Sequence, residues 1–217
     1  MALFDEKTYT SSDGGDYLPI IKFNAQSGRV TRRDYAGSAG EYNQTDITKN
    51  FKAVFDFENI EVGTIDFGTG GAPSFSVVKL GQPVPAAPTA NHKPGFRVLV
   101  FLAKECGGDL REFASTAKAC LKGLDQLHTA YTAGVKENPG KLPIVVLEDT
   151  VAIVTGEGAK KSTAYSPVFT IQRWVDRPAG LTYTPRSQSD SKPQASSTSV
   201  SASPATQNSV ADDDGFG

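Results

Sequence analysis

Residues 96–134 read FRVLVFLAKECGGDLREFASTAKACLKGLDQLHTAYTAG, and the division of this stretch into strand and helix decides the fold. Phe96 to Ala103 is the most apolar run of the chain and predicts a central strand. Gly107-Gly108 then breaks the strand, and Asp109 with Glu112 forms a capping-box pattern that predicts a helix start. Leu110, Phe113, Ala114, Ala117, Cys120, Leu121, Leu124, Leu127 and Tyr131 recur at three- and four-residue steps. One apolar stripe on a helix from about Asp109 to Ala133 follows, with Gly134 as its C-terminal cap.

Working outward, extended segments are expected on both sides. Tyr17 to Asn24 reads as a strand, and Gln26-Ser27-Gly28 turns it into a second, Arg29 to Tyr35. Phe51 to Phe57 alternates, with Phe51, Ala53, Phe55 and Phe57 facing one way and Lys52, Val54 and Asp56 the other. Ile60 to Phe67 and Ser74 to Leu80 give a further pair of short strands. After the helix come Leu142 to Thr155 and Tyr165 to Val175, joined by a loop holding Lys160 and Lys161. Strands, one long helix, then two strands is the order of an oligonucleotide-binding (OB) barrel. The expected fold is therefore mainly β: a five-stranded antiparallel OB-like barrel, one long helix between strands three and four, and an inserted hairpin at 60–80. An α+β domain without a barrel is the structural alternative.

Composition sets the domain plan. The chain has 217 residues and a net charge of −2, unevenly spread. Residues 187–217 hold four acids (Asp190, Asp212, Asp213, Asp214) against Lys192, a balance of −3, so residues 1–186 carry about +1. Residues 1–16 are polar and read as a flexible arm, and 17–186 as the folded domain. Residues 187–210 hold nine serines and almost no large apolar side chain, so 187–217 are expected to form a disordered tether. The tether ends in Asp212-Asp213-Asp214-Gly215-Phe216-Gly217, three carboxylates with one aromatic anchor. Such a tip suits a basic, aromatic-lined groove, on a partner or on the chain's own domain; a solubilising tail is the plainer reading. No apolar run reaches the roughly 20 residues that span a bilayer. The N-terminus reads as no signal peptide, lacking a basic leader and an apolar core; Cys106 and Cys120 read as buried thiols with no sign of an oxidising compartment, so the cytoplasm is expected.

Catalysis finds little footing. His92 and His128 stand apart, and Cys106 and Cys120 are too widely spaced for a zinc site. Asp66-Phe67-Gly68 lacks the other kinase motifs, and Lys160-Lys161-Ser162 lacks the preceding Gly of a phosphate loop. No enzyme activity, metal or cofactor is expected. Binding finds more. Arg29, Arg33 and Tyr35 share one strand face, and Arg32 lies with Val30 on the other. Lys52 sits opposite the three phenylalanines, which could be core or stacking surface. Arg173 and Trp174 end the last strand, with Trp174 expected opposite Phe169 and Ile171. Cations interleaved with rings suit single-stranded nucleic acid, where cations meet phosphates and rings stack on bases. An edge guarded against aggregation and a core tryptophan are the alternatives.

Two features resemble the single-stranded DNA-binding proteins of bacteriophages and, by analogy, of bacteria. One is Ser162-Thr163-Ala164-Tyr165-Ser166-Pro167-Val168-Phe169 leading to Trp174-Val175-Asp176-Arg177-Pro178, which looks like their closing strand. The other is the Ser-rich tether with Asp212-Asp213-Asp214-Gly215-Phe216, which looks like their acidic tip. The resemblance covers residues 17–217 and implies coating of transient single strands in replication, recombination and repair, in bacterial or phage-infected cytoplasm. The nucleic-acid contacts it leads us to expect are Arg29, Arg32, Arg33, Tyr35, Lys52, Lys160, Lys161, Tyr165, Arg173 and Trp174. Asp212, Asp213, Asp214 and Phe216 would recruit replication or recombination proteins and compete for the DNA groove, and weak self-association is allowed. Gly217 after Phe216 departs from tips that end on Phe. The alternative function is a non-enzymatic phage interaction or structural domain with a solubilising tail.

Overall fold

The computed structural model describes residues 18–35, 42–68, 73–158 and 161–186. The first strands are β1 (Ile20–Asn24), β2 (Arg29–Tyr35), β3 (Tyr42–Asp46), β4 (Lys52–Phe55), β5 (Glu61–Asp66) and β6 (Ser74–Lys79). Then come β7 (Lys93–Leu102), β8 (Leu110–Ser115), the helix α1 (Lys118–Gly134), β9 (Lys141–Thr155) and β10 (Ser162–Asp176). All ten strands join one sheet in the order β10-β9-β4-β7-β8-β1-β2-β3, with β5 paired to β7 and β6. The protein is mainly β. Every ladder is antiparallel except β1 with β8, so the sheet is mixed.

The apolar run at 96–102 is the middle of this sheet. β7 pairs with β4, β5 and β8, and its residues from Gly95 to Val100 are all buried. The hairpin at 60–80 forms as expected, β5 against β6. The mainly β expectation holds, but the expected barrel does not. The described residues form ten strands, where a five-stranded barrel with an inserted hairpin was expected, and the sheet is not a closed barrel. The edge strand β10 meets the β1–β2 turn at a backbone hydrogen bond from Tyr165 N to Ala25 O of 2.6 Å. The helix falls between the eighth and ninth strands.

The helix also begins nine residues later than the periodicity predicts. Leu110 to Ser115 is a strand, hydrogen-bonded to β7 on one side and to β1 on the other. Gly107 (φ 126°) and Gly108 (φ 68°) supply the left-handed turn that folds β8 back on β7. Asp109 does not cap a helix; it accepts hydrogen bonds from Arg111 at 3.0 and 2.7 Å. A strand buried on both faces has no two-residue polarity signal, which is why its apolar positions could be mistaken for helical ones.

Two cores follow. On the inner face of the curled sheet, Phe23, Phe51, Phe55, Phe57, Phe96, Phe113 and Phe169 pack with Cys120, Leu124, Leu127 and Tyr131 of α1. Phe51, Phe55 and Phe57 are 3%, 0% and 3% exposed, so these rings are core rather than stacking surface. On the outer face, Val54, Leu99, Leu142 and Ile144 are covered by Leu181. Leu181 belongs to a strap, residues 177–186, that lies across that face. Arg177 grips the buried Asp56 with two hydrogen bonds, at 2.7 and 2.8 Å, and Glu58 at 2.8 Å.

Candidate nucleic-acid interface

The alternation predicted for β2 holds. Val30 is buried on the inner face, and Arg32 shares that side. Arg29 and Arg33 point outward, beside Lys22 and Ile20 of β1, because cross-strand partners lie on one face: Arg33 pairs with Ile20, Thr31 with Lys22 and Arg29 with Asn24. Across the β2–β3 ladder, the Arg33 guanidinium sits 4.5 Å from the ring centroid of Tyr42. Tyr42 is half exposed on an edge strand whose five residues all face solvent. A cation over an exposed ring joins the two chemistries needed for an unpaired nucleotide, a charge for phosphate and a flat face for a base. Arg29 is exposed and pairs with Asp46 at 2.9 Å. Hydrogen bonds from the Thr48 hydroxyl and amide, and then Arg29, hold the Asp46 carboxyl below its usual range.

Arg32 is placed differently. Its guanidinium donates to Asp34 at 2.8 Å and to the Cys106 carbonyl at 3.2 Å. Asp34 also pairs with the buried Arg111. Burial resists ionisation of Asp34, but hydrogen bonds from Arg111 and Arg32 outweigh it and keep the carboxyl below its ordinary value. Arg32 therefore serves as a structural tie between β2 and the β7–β8 turn.

Lys52 and Arg173 share the outer face at the opposite end of the sheet. Lys52 and Val54 lie on one side of β4, Val54 pairs with Ile144, and Ile144 pairs with Arg173. Lys52 also lines a shallow cleft with Lys49, Asn50, Phe51, Glu105, Val146 and Leu147. The outer core and its strap occupy the sheet between this pair and the Arg33–Tyr42 pair. Lys161 is exposed at the base of the β9–β10 turn. Tyr165 packs on the β1–β2 turn, its Cβ so close to Gly28 that a side chain there would meet it at 3.2 Å.

Trp174 departs from the expected alternation. The β9–β10 register shifts between Ile171 and Arg173, and this bulge turns Trp174 back to the inner face with Phe169 and Ile171. Its ring stacks on Tyr131 with centroids 5.6 Å apart, and Gly134 leaves room for its edge. The Tyr35 side chain, Lys160 and the tip residues Asp212, Asp213, Asp214 and Phe216 lie outside the described residues, as do the arm at 1–16 and the tether.

Sequence reasoning missed a buried charge cluster beneath the strap. Arg97 donates to Glu112 at 2.6 Å and pairs with Glu61, all three nearly inaccessible. Tyr183 donates to Glu61 at 3.0 Å, and Arg97 donates to the Thr184 carbonyl at 3.1 Å. Burial opposes the charge on Arg97, but Glu112 and Glu61 prevail and raise its pKa. Burial and the nearby Glu61 push the Tyr183 phenol up to about 12. The only sequence hint was an arginine inside an apolar run, which signals a buried ion partner without naming it. Among the described residues, no group of three or more His, Cys, Asp or Glu could hold a metal ion. No described helix is long and apolar enough to cross a membrane. Comparison with family models, curated proteins and solved structures found no match for this chain.

Proposed function

We propose that this chain binds single-stranded DNA without strong sequence preference, as a non-enzymatic partner of replication, recombination or repair. The observation that carries the reading is the Arg33–Tyr42 pair, 4.5 Å apart on a solvent-facing edge of the outer sheet surface, with Lys22 and Arg29 on the same face. In this reading the curled sheet with α1 packed inside does the work of an oligonucleotide-binding barrel, whose outer surface takes the strand. Lys52 and Arg173 extend the positive surface at the far end, and Lys160 and Lys161 add charge at the β9–β10 turn. The acidic tip competes for the cationic face and passes to partner proteins when DNA displaces it.

The test is binding to single- and double-stranded DNA of one length, with Tyr42→Ala beside wild type. Stacking contributes roughly 1–3 kcal/mol per base, so this exposed substitution should weaken single-strand affinity by about tenfold. Equal affinity for both forms, or an unaffected Tyr42→Ala protein, rejects the proposal. A second reading, a protein-interaction domain, draws on the β9–β10 arm, where Val151 and Val154 are each 51% exposed. It predicts no complex with oligo-dT at micromolar protein.

A further inference from the structure

The β5–β6 hairpin bears a second ring-and-cation cluster. Phe67, 40% exposed just after β5, meets Phe75 of β6 edge to face with centroids 6.3 Å apart. The Arg186 guanidinium lies 4.5 Å from the centroid of Phe75. Phe75 pairs with Ile65 and Ile65 with Lys93, so an exposed lysine stands in the same cross-strand row. This cluster occupies the same outer face as the Arg33–Tyr42 pair. Arg33 faces Ile20, Ile20 faces Glu112, and Arg186 approaches Glu112 at 3.8 Å. The carboxylates along the way do not repel a polyanion at close range. Glu112 and Glu61 are 3% exposed at the side chain, and Arg97 lies against both. Asp66 is turned to the Gly68 amide at 2.8 Å.

We propose that the β5–β6 hairpin is a second base-stacking subsite, with the exposed Phe67 taking a base, Phe75 backing it under the largely buried Arg186, and Lys93 taking a phosphate of one strand that also crosses Arg33 and Tyr42. The subsite rests on the single-strand reading above. Neighbouring strands are spaced at roughly 4.8 Å, so Arg33 and Glu112, two strands apart, are about 10 Å from each other, and the path runs across the strands. Arg186 is the last residue of the strap, so an occupied subsite lies at the C-terminal end of the described domain.

Two measurements on the full chain test this. Affinity for oligo-dT of about 16 nucleotides, a length within the range one such domain covers, is compared for wild type, Phe67→Ala and Phe67→Tyr. Iodouracil-substituted oligonucleotides are also photocrosslinked to wild-type protein and the attachment points mapped. The expected result is about tenfold weaker binding by Phe67→Ala, near-complete recovery in Phe67→Tyr, and crosslinks at Phe67 or Phe75 as well as at Tyr42. Crosslinks confined to Tyr42, with Phe67→Ala binding like wild type, overturn the second subsite and leave the first standing. No complex between wild type and any single strand overturns both. If Phe67→Ala also lowers thermal stability, the wild-type crosslinks decide.

Discussion

Arg97, like Arg111, is a cation almost wholly withdrawn from solvent. It sits in the central strand with its charge matched by Glu61 and Glu112, and all three side chains are 3% exposed. Removing one partner of such a group strands uncompensated charge out of water. Arg97→Met should therefore lose about 3–5 kcal/mol of stability in urea denaturation; a loss below about 1 kcal/mol would show that water reaches the carboxylates. Asp34 makes a pH prediction at the same scale. Its folded pKa lies below the ordinary 3.8, so its contribution to stability is complete above that value and disappears as pH falls through the lower folded one. Melting temperature should hold from about pH 8 to 5 and drop below about pH 4, with a smaller drop in Asp34→Asn. An identical acid profile in that variant would remove Asp34 from the account. The thiols take no part in either effect: burial pushes Cys120 up to about 12, and the Cys106 thiol donates to the Asn50 carbonyl at 2.9 Å.

At the scale of elements, α1 is held to β10 by close approach. A Cβ on Gly123 would lie 2.4 Å from the Pro167 carbonyl oxygen, a backbone atom with no rotamer to retreat into. Alanine elsewhere in a helix gains about 1 kcal/mol over glycine. Here the displaced helix should reverse that sign, and Gly123→Ala should be destabilised by about 1–3 kcal/mol on thermal or chemical unfolding. A stabilised variant would mean that α1 slides on the sheet. Ser166 reinforces the contact by donating to the Ala119 carbonyl at 2.9 Å. Much of this element pattern was legible in the sequence. The β2 boundaries, the alternation of β4 and the 60–80 hairpin all follow from period-two patterning and turn residues. β3 was not legible, because Tyr-Asn-Gln-Thr-Asp has no apolar face to mark an edge strand lying in solvent. Nor was the bulge at Gln172, which turns Trp174 inward, since one added residue leaves no compositional trace.

Across the whole molecule, charge is divided between a mildly positive domain and an acidic C-terminal segment. If the tip competes for the cationic face, deleting residues 187–217 should tighten single-strand binding, most of all at low salt where screening is weakest. Log affinity of the truncated protein should fall with log salt at a slope near −0.7 per phosphate neutralised. Unchanged affinity at low salt would leave the tip with partner recruitment alone. The candidate site was half legible. Arg29 and Arg33 were found from strand alternation, yet Tyr42 becomes a partner of Arg33 only through the β2–β3 ladder. The strap could not be foreseen either, because Arg177 reaches Asp56 across 121 positions of sequence.

From its residues alone, this chain committed itself to a β-rich domain, one apolar-striped helix ending at Gly134, and an acidic, serine-rich end. Those properties are local: side-chain period, turn chemistry and charge act between near neighbours and need no knowledge of the rest. The tertiary structure alone decided that residues 110–115 are a strand, that Trp174 is a wall of the core, and that a strap closes the outer face. Each of these depends on pairing between distant segments, where a ladder partner or a buried counter-charge outweighs local preference by several kcal/mol.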